Sequence, residues 1–198
     1  VDISSDSTPR ELQIGLTLGP QEKAELIDTL KEYRDVFAWS YEDMPGIDPE
    51  IAQHTIPLIE GAKPVKQKLR RMKPDVQLKI REEVIKQLQA GFIKVVKYAD
   101  WVANIVPVPK KDGRVRMCVD FRDLNKASPK DDFPLPHIDV LVDNTANHAL
   151  FSFMDGYAGY NQVKMAEEDM AKTTFTTPWG LYCYTVMPFG LKNAGATY

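Results

Sequence analysis

The sequence has few of the features that mark secreted, metal-scaffolded or membrane-spanning proteins. Its 198 residues include two cysteines, Cys118 and Cys183, and neither has a second cysteine or a histidine at zinc-ligand spacing. No apolar run approaches the roughly 20 residues that span a bilayer. The first residues also lack the basic-then-apolar order of a signal peptide. These absences predict a soluble intracellular protein with reduced thiols.

The sequence also lacks the common signatures of small-molecule catalysis. Its 11 glycines are scattered at turns, so there is no glycine-rich phosphate loop of the Walker or dinucleotide type. No serine lies in a nucleophile elbow. The three histidines, His54, His137 and His148, have no spacing that indicates a metal site or a nucleophile–base pair, and we expect each to be structural or exposed.

The formal net charge of −3 hides a strong segregation of charge along the chain. Residues 1–60 hold 13 acidic and 4 basic side chains, whereas residues 61–97 hold 11 basic and 3 acidic ones. Because salt screens charge beyond about 8 Å, the acidic segment does not prevent the basic one from binding phosphates. A solvated helix face is the commoner meaning of such a run, and both interpretations stay open.

Hydrophobic periodicity predicts two long helices. One begins at Pro20, a residue suited to a first helical position, and is expected to end near Trp39. The second covers residues 75–90, where apolar residues recur every four positions, and Gly91 follows as the expected terminator. Between them, residues 53–58 alternate like a short strand.

From residue 92 onward the pattern changes to short β-type runs. Residues 105–109 and 115–119 flank an Asp-Gly turn, which predicts a hairpin with Lys110 and Lys111 at its tip. Residues 137–143 have the pattern of a short helix. Residues 151–154 read as a buried strand that leads into Asp155, and an acid at the end of an apolar strand suggests a functional role.

Five strings of the sequence form an ordered set of motifs: Gly61–Val65, Met117–Lys126, Phe133–Pro136, Phe153–Gln162 and Met187–Ala194. In this order they resemble the reverse transcriptase of gypsy-class LTR retrotransposon polyproteins, particularly those of plants. The resemblance covers roughly residues 52–198, and several separate motifs are far more specific than any single pattern. Residues 1–60 match less specifically and look like the segment that precedes the polymerase.

The resemblance implies an α+β fragment of the right-hand polymerase fold. It divides the chain into an acidic, helical lead-in at residues 1–60, and fingers plus partial palm at residues 61–198. It implies addition of dNTPs to a primer 3′-hydroxyl on an RNA or DNA template, by a two-metal mechanism. Partners would be the template, primer, dNTPs and the other polyprotein domains, namely protease, ribonuclease H and integrase, without a membrane.

The resemblance assigns roles to particular residues. Asp155 would be the catalytic, metal-binding aspartate, with the Gly156 carbonyl facing a metal, and Tyr160 would exclude ribonucleotides sterically. By spacing alone, Tyr160 could equally be a core residue. Phe189, where retroviral relatives commonly carry Gln, would pack and position only, while Gly190 lets the backbone approach the nucleotide.

Other implied roles concern phosphates and the template. The fingers hairpin would place Lys110 or Lys111, together with Arg116, on the triphosphate. Asp120, Arg122 and Asn125 would support the nucleotide pocket and the template strand. For Asp120 and Arg122, a turn salt bridge is a comparably good interpretation.

The implied cofactor is Mg²⁺, with two ions in the complete enzyme. The second carboxylate pair of this family, in a Tyr-x-Asp-Asp hairpin, does not occur in the 198 residues, so we expect this chain alone to be inactive. One alternative is a non-catalytic, nucleic-acid-binding remnant that uses residues 61–97; another is an unfolded fragment. The expected location is the cytoplasm, in the element's virus-like particle, with the nucleus as an alternative.

Overall fold

The computed structural model describes residues 1–4, 9–111, 113–134, 137–149, 151 and 158–198. The chain divides into two compact units, Val1–Pro45 and Gly46–Tyr198. The division predicted at residue 60 separates functional segments of a polyprotein, and it stays a prediction. Among the described residues, no helix combines the length and apolar character needed to cross a bilayer.

The first unit contains helix α1, Pro20–Glu32, followed by short 3₁₀ turns at Arg34–Val36 and Tyr41–Asp43. The helix begins at Pro20 as predicted. Gly19 precedes it, and its N–H donates to the Glu22 carboxylate at 2.9 Å, which satisfies one of the free donors at this end.

The predicted end of α1 near Trp39 is wrong, because the helix ends at Glu32. Tyr33 leaves the helical region, with φ −99° and ψ 23°. Farther on, the backbone N–H groups of Trp39 and Ser40 both donate to Asp43 Oδ2, at 2.9 Å each. A side-chain acceptor therefore replaces the helical carbonyls at these positions, as short polar side chains do near turns.

The second unit holds the remaining elements. Its helices are α2 (Pro74–Gln89), α3 (Arg122–Ala127), α4 (Ile138–Thr145), α5 (Glu167–Met170) and α6 (Ala194–Thr197). Its strands are β1 (Gln53–His54), β2 (Ile93–Val96), β3 (Ala103–Pro109), β4 (Val115–Val119), β5 (Lys164–Met165), β6 (Phe175–Thr177) and β7 (Gly180–Tyr184). Two 3₁₀ turns cover Gly159–Gln162 and Ala171–Thr173.

Five of these strands form a mixed sheet in the order β2-β7-β6-β3-β4. Only β3 and β6 pair in parallel within it, with Ala103 opposite Phe175. The predicted hairpin is confirmed, because β3 and β4 pair antiparallel from Ile105–Val119 to Pro109–Val115. Strands β1 and β5 form a separate parallel pair.

Helix α2 confirms the prediction for residues 75–90. Ile80 and Val84 are buried in the core, and Gly91 follows the helix with φ +72°, a left-handed conformation that glycine adopts without strain. The same core contains Phe175 and Met187, which have no exposed surface. The helix expected at residues 137–143 is also present, as α4.

The strand expected at residues 53–58 is limited to Gln53 and His54. The reason lies at Ile56, whose backbone N–H donates to Asp169 Oδ2 at 2.7 Å and whose carbonyl accepts from Lys172 Nζ at 2.8 Å. Asp169 and Lys172 also pair with each other. Side chains thus form the hydrogen bonds to the Ile56 backbone that a neighbouring strand would otherwise form.

Candidate functional site

The centre of the predicted site falls outside the described residues. Asp155 and Gly156 both lie there, as do residues 152–154 of the strand expected before them. The described chain resumes at Ala158, which has φ +50° although it is not glycine. Such left-handed non-glycine residues are uncommon and concentrate at functional sites and turns.

Tyr160 and Phe189 lie in contact, although they belong to separate motifs. Their ring centroids are 4.7 Å apart and their planes differ by 15°, which is a stacked arrangement. Tyr198 adds a tilted ring 5.0 Å from that of Tyr160. Tyr160 is half-buried and packs against the core, whereas Phe189 is 66% exposed. One ring of the pair is therefore anchored and the other faces solvent.

Asn125 joins helix α3 to the loop that contains Gly190. Its Nδ2 donates to the Gly190 carbonyl at 2.8 Å, and its Oδ1 accepts the Lys192 N–H at 2.8 Å. Gly190 has φ +97°, and a Cβ there would lie 3.7 Å from the ring of Phe121. The loop conformation therefore favours glycine, and the asparagine fixes the loop from both sides.

Asp120 forms the turn salt bridge with Arg122 that the sequence left as an alternative. Arg122 donates to it through Nε and Nη2, at 2.7 Å each, and Arg70 adds a third contact at 3.3 Å. The carboxylate is buried, whereas the Arg122 side chain is 73% exposed. Hydrogen bonding from Arg122 holds the pKa of Asp120 below its usual value, so the group stays ionised.

Arg70, Gln67 and Asn104 belong to this network, and the sequence did not single them out. Gln67 Nε2 donates to the Asp120 carbonyl at 3.2 Å and to Asp123 Oδ2 at 2.9 Å. Asn104 accepts the Arg70 N–H at 2.9 Å. The partners lie far apart in sequence, so no local pattern could have identified them. The only indication in the sequence was that Arg70 lies in the basic segment, residues 61–97.

The predicted phosphate-binding cations lie on the β3–β4 hairpin. Lys110, Lys111 and Arg116 are exposed, and Arg116 is opposite Val108 in the ladder. The Gly113 carbonyl near the tip accepts a hydrogen bond from Lys79 Nζ at 2.7 Å, which ties the hairpin to helix α2. Among the described contacts, none joins these three cations to Tyr160 or Phe189.

The described residues contain no cluster of three or more metal-ligating side chains. The predicted Mg²⁺ ligand, Asp155, lies outside them. Two open clefts occur in the second unit, one of about 350 Å³ beside Lys63, Trp101 and Lys126, and one of about 440 Å³ beside Phe133 and Lys192. These clefts carry both signs of charge and do not by themselves indicate a ligand.

The histidines behave as expected. His54 is fully buried and its Nδ1 lies 2.8 Å from Thr197 Oγ1, whereas His137 and His148 are exposed. Burial lowers the pKa of His54, while the negative charge of Asp169 acts against this shift. The role of His54 is therefore structural.

Comparison with protein families matches residues 108–198 to the family described as Reverse transcriptase (RNA-dependent DNA polymerase). An "RNA-directed DNA polymerase homolog" of Oenothera berteroana is 44% identical over 84 residues, which are 42% of this chain and 59% of the relative. The Pol polyprotein from transposon opus of Drosophila melanogaster is 37% identical over 98 residues, covering 50% of this chain and 10% of the relative.

A longer alignment reaches the Transposon Tf2-3 polyprotein of Schizosaccharomyces pombe, which is 28% identical over 183 residues, or 88% of this chain and 13% of the relative. The chain thus spans 59% of the Oenothera relative and about a tenth of the polyproteins.

Solved structures of similar fold include the foamy viral protease–reverse transcriptase in complex with double-stranded DNA. It superposes with a TM-score of 0.64 at 19% identity, over 91% of this chain and 31% of that one. The same viral protein with an RNA/DNA hybrid gives a TM-score of 0.60 over 94% of this chain and 27% of that one, at 18% identity. The α+β fold predicted from sequence, that of polymerase fingers and palm, is therefore confirmed. Together with the motif order, these matches show that residues 108–198 are similar to the reverse transcriptase domain of retrotransposon polyproteins.

Proposed function

We propose that this chain is the fingers and first palm part of an RNA-directed DNA polymerase, which adds dNTPs to a primer 3′-hydroxyl on a template. One observation carries this proposal. Residues from three separate motifs converge in one region, because Asn125 binds the Gly190 loop and Phe189 of that loop stacks on Tyr160.

The chemistry assigns a role to each group. Phosphoryl transfer is largely a matter of positioning and of neutralising charge on the transferred group. Arg116, with Lys110 or Lys111, would bind the triphosphate, since guanidinium and ammonium groups pair strongly with phosphate oxygens. The ring of Tyr160 would exclude a 2′-hydroxyl by steric contact.

Divalent metal ions are the general cofactors of this enzyme family, and we propose Mg²⁺ here. The Asp155 carboxylate and the Gly156 carbonyl would hold it, since both are oxygen donors of the kind that Mg²⁺ prefers. The ion would neutralise charge on the reacting phosphates. The second carboxylate pair would come from a Tyr-x-Asp-Asp hairpin, which the 198 residues do not include.

The finer assignment is to a gypsy-class element of a plant. The strings Met117–Lys126 and Met187–Ala194 support the class. The 44% identity with the Oenothera relative supports a plant source. The corresponding partners are an RNA or DNA template with its primer, dNTPs, and the protease, ribonuclease H and integrase of the same polyprotein. We propose that the protein acts in a cytoplasmic virus-like particle, or alternatively in the nucleus. Residues 1–60 would connect the preceding polyprotein domain to the polymerase.

A second candidate function is nucleic-acid binding without catalysis. The excess of basic residues in segment 61–97 favours it, because a local cluster of cations binds phosphates whatever the overall charge. This candidate needs no carboxylate at residue 155. The second candidate depends on the lysines and arginines of residues 63–73. The two functions therefore differ in their dependence on Asp155, which incorporation requires and binding does not.

Primer extension on an RNA template with Mg²⁺ and dNTPs tests the proposal. The 198-residue chain is compared with one extended through the downstream Tyr-x-Asp-Asp hairpin. We expect incorporation only by the extended chain, and we expect Asp155→Asn to abolish it while template binding persists. Incorporation by the shorter chain would refute the assigned carboxylate requirement. Inactivity of both chains, with binding that depends on residues 63–73, would favour the second candidate.

A further inference from the structure

Asn104 in strand β3 has its side-chain amide fully engaged with the basic segment before helix α2. The residue is 2% exposed. Its Nδ2 donates to the Lys68 carbonyl at 2.9 Å, and its Oδ1 accepts the Arg70 N–H at 2.9 Å. A buried amide with its donors and acceptor occupied has one orientation, so it holds the main chain on both sides of Leu69 in place.

Gln67 also hydrogen-bonds Asn104 and so fixes the orientation of its side-chain amide. Its Oε1 accepts the backbone N–H and the Nδ2 of Asn104, at 3.0 and 3.2 Å. Its own backbone N–H donates to the Val102 carbonyl at 2.8 Å, and Lys66 forms a parallel bridge with Val102. Main-chain hydrogen bonds to Val102 thus hold residues 66 and 67. At residues 68 and 70, the side-chain amide of Asn104 provides the hydrogen bonds instead.

The segment held in this way presents cations to solvent. Lys66, Lys68 and Arg70 are exposed, and the Arg70 guanidinium lies 3.3 Å from Asp120 Oδ2, which also binds Arg122. One buried carboxylate therefore orients two arginines, and the group of three keeps a net positive charge. Guanidinium groups already fixed by a carboxylate lose little conformational entropy when they bind a phosphate.

We propose that Asn104 is a positioning residue for binding a nucleic-acid strand. It fixes the main chain of Lys68 and Arg70, and the guanidinium groups of Arg70 and Arg122 share Asp120. In the proposal, these three cations contact phosphates of the strand's backbone. Because the ligand is a nucleic acid, the proposal rests on the proposed function, but it does not depend on catalysis.

The test measures binding of a labelled single-stranded RNA to the 198-residue chain by fluorescence anisotropy, over a series of salt concentrations without dNTPs. We expect Asn104→Ala to weaken binding about tenfold. The slope of log K against log salt should become shallower by about 1.4, as expected for two lost phosphate contacts on a single strand. A merely structural role would not change this slope.

Thr173→Val is the matched control. Thr173 is also fully buried and its hydroxyl has two partners, the Met170 carbonyl at 2.7 Å and the Tyr184 N–H at 2.9 Å, but it contacts none of these cations. We expect this variant to lower the melting temperature yet leave the affinity and salt slope unchanged. If Asn104→Ala and Thr173→Val have the same melting temperature and lose the same amount of RNA affinity, the proposal is overturned.

A double-mutant cycle removes the remaining ambiguity. Lys68→Gln with Arg70→Gln should reproduce the binding loss, and adding Asn104→Ala should then have no further effect. Additive losses would show that Asn104 acts elsewhere. If Asn104→Ala does not fold, Gln67→Met removes the hydrogen bonds that Gln67 forms with Asn104. We expect a smaller loss of RNA affinity from this variant.

The two proposals can fail separately. Unchanged binding in the Lys68 and Arg70 variant would refute the positioning role of Asn104 and leave the polymerase assignment intact. Failure of Asp155→Asn to affect primer extension would refute the polymerase assignment, while the binding result would still decide the role of Asn104. A duplex DNA probe tested in parallel shows which form of nucleic acid contacts this surface.

Discussion

The ring of Tyr160 stacks on the ring of Phe189, with centroids 4.7 Å apart and planes inclined by 15°. Tyr160 is the proposed steric barrier to ribonucleotides, and a barrier works only if the ring cannot move away from the 2′-hydroxyl. Stacked aromatic pairs contribute about 0.5–1.5 kcal/mol beyond the area that they bury. Phe189 can therefore restrict the ring without touching the nucleotide.

Phe189→Ala should weaken discrimination against ribonucleotides. Loss of the stack frees the Tyr160 ring, and about 1 kcal/mol corresponds to roughly fivefold in relative incorporation of rNTP over dNTP. The measurement is single-nucleotide primer extension with an extended, active chain. Phe189→Tyr keeps an aromatic ring and should retain discrimination. Unchanged discrimination in Phe189→Ala would show that Tyr160 is fixed by other contacts, such as that with Tyr198.

Removal of one partner of the Asp169–Lys172 ion pair should destabilise the fold. Asp169 is 3% exposed and accepts the Ile56 N–H, while Lys172 donates to the Ile56 carbonyl. Lys172→Met leaves a buried carboxylate without its counter-ion, and removal of one partner of such a pair destabilises a protein by about 3 kcal/mol. Urea denaturation measures the change in free energy of unfolding.

The double variant Asp169→Asn with Lys172→Met provides the comparison. It removes the uncompensated charge but keeps an acceptor for the Ile56 N–H, so we expect it to be more stable than Lys172→Met alone. Lys126→Gln is the exposed control, since Lys126 lies 3.5 Å from Asp123 with its side chain 79% exposed. Its effect should be below about 1 kcal/mol. Equal effects of Lys126→Gln and Lys172→Met would contradict this account.

Local patterns predicted those elements whose structure depends on neighbouring residues. The four-residue recurrence of Val76, Ile80, Val84 and Leu88 was sufficient for α2, and the Asp-Gly turn was sufficient for the β3–β4 hairpin. The predicted end of α1 was wrong because the chain tightens after Tyr33 into a 3₁₀ turn, in which the N–H groups of Val36 and Phe37 donate to carbonyls three residues back.

Long-range contacts could not be predicted in this way. Asn104 and Gln67 are 37 residues apart, and an asparagine inside a strand pattern looks unfavourable until its partners are known. The parallel pairing of β3 with β6 likewise joins distant segments. Among the site residues, the hairpin lysines followed from the residues themselves, whereas Asn125 and Gly190 were identified through the family resemblance and were found bonded to each other.

His54 should make the stability of the chain depend on pH. Its pKa is lowered from 6.5 by burial, and its Nε2 is buried without a partner among the described residues, so the folded state disfavours the protonated form. The unfolded state binds a proton below about pH 6.5, whereas the folded state binds it only at a lower pH. The contribution of neutral His54 to the free energy of unfolding is therefore complete above that pH. It falls as the pH drops, by up to about 1.4 kcal/mol per pH unit.

Urea denaturation between about pH 7.5 and about pH 5.5 measures this dependence. His54→Asn keeps a polar group for Thr197 but does not titrate, so its profile should be flatter than that of the wild type. His137→Gln replaces an exposed histidine and should keep the wild-type profile. A His54→Asn profile with the wild-type slope would assign the pH dependence to other groups.

Asn125 should control the mobility of the Gly190 loop through two separable hydrogen bonds. Asn125→Ala removes both, and loss of the bond to the Lys192 N–H should speed hydrogen exchange of that amide by about fivefold, equivalent to about 1 kcal/mol. Asn125→Asp keeps an acceptor for Lys192 but cannot donate to the Gly190 carbonyl. It should therefore restore most of the protection at Lys192.

Amide exchange followed by NMR distinguishes these outcomes, with Asn144→Ala on the exposed side of α4 as the control for general destabilisation. If the aspartate variant exchanges as fast as the alanine variant, the bond to the Gly190 carbonyl is the one that holds the loop. If neither variant changes exchange at Lys192, contacts other than the two Asn125 hydrogen bonds hold the loop, and the prediction is wrong.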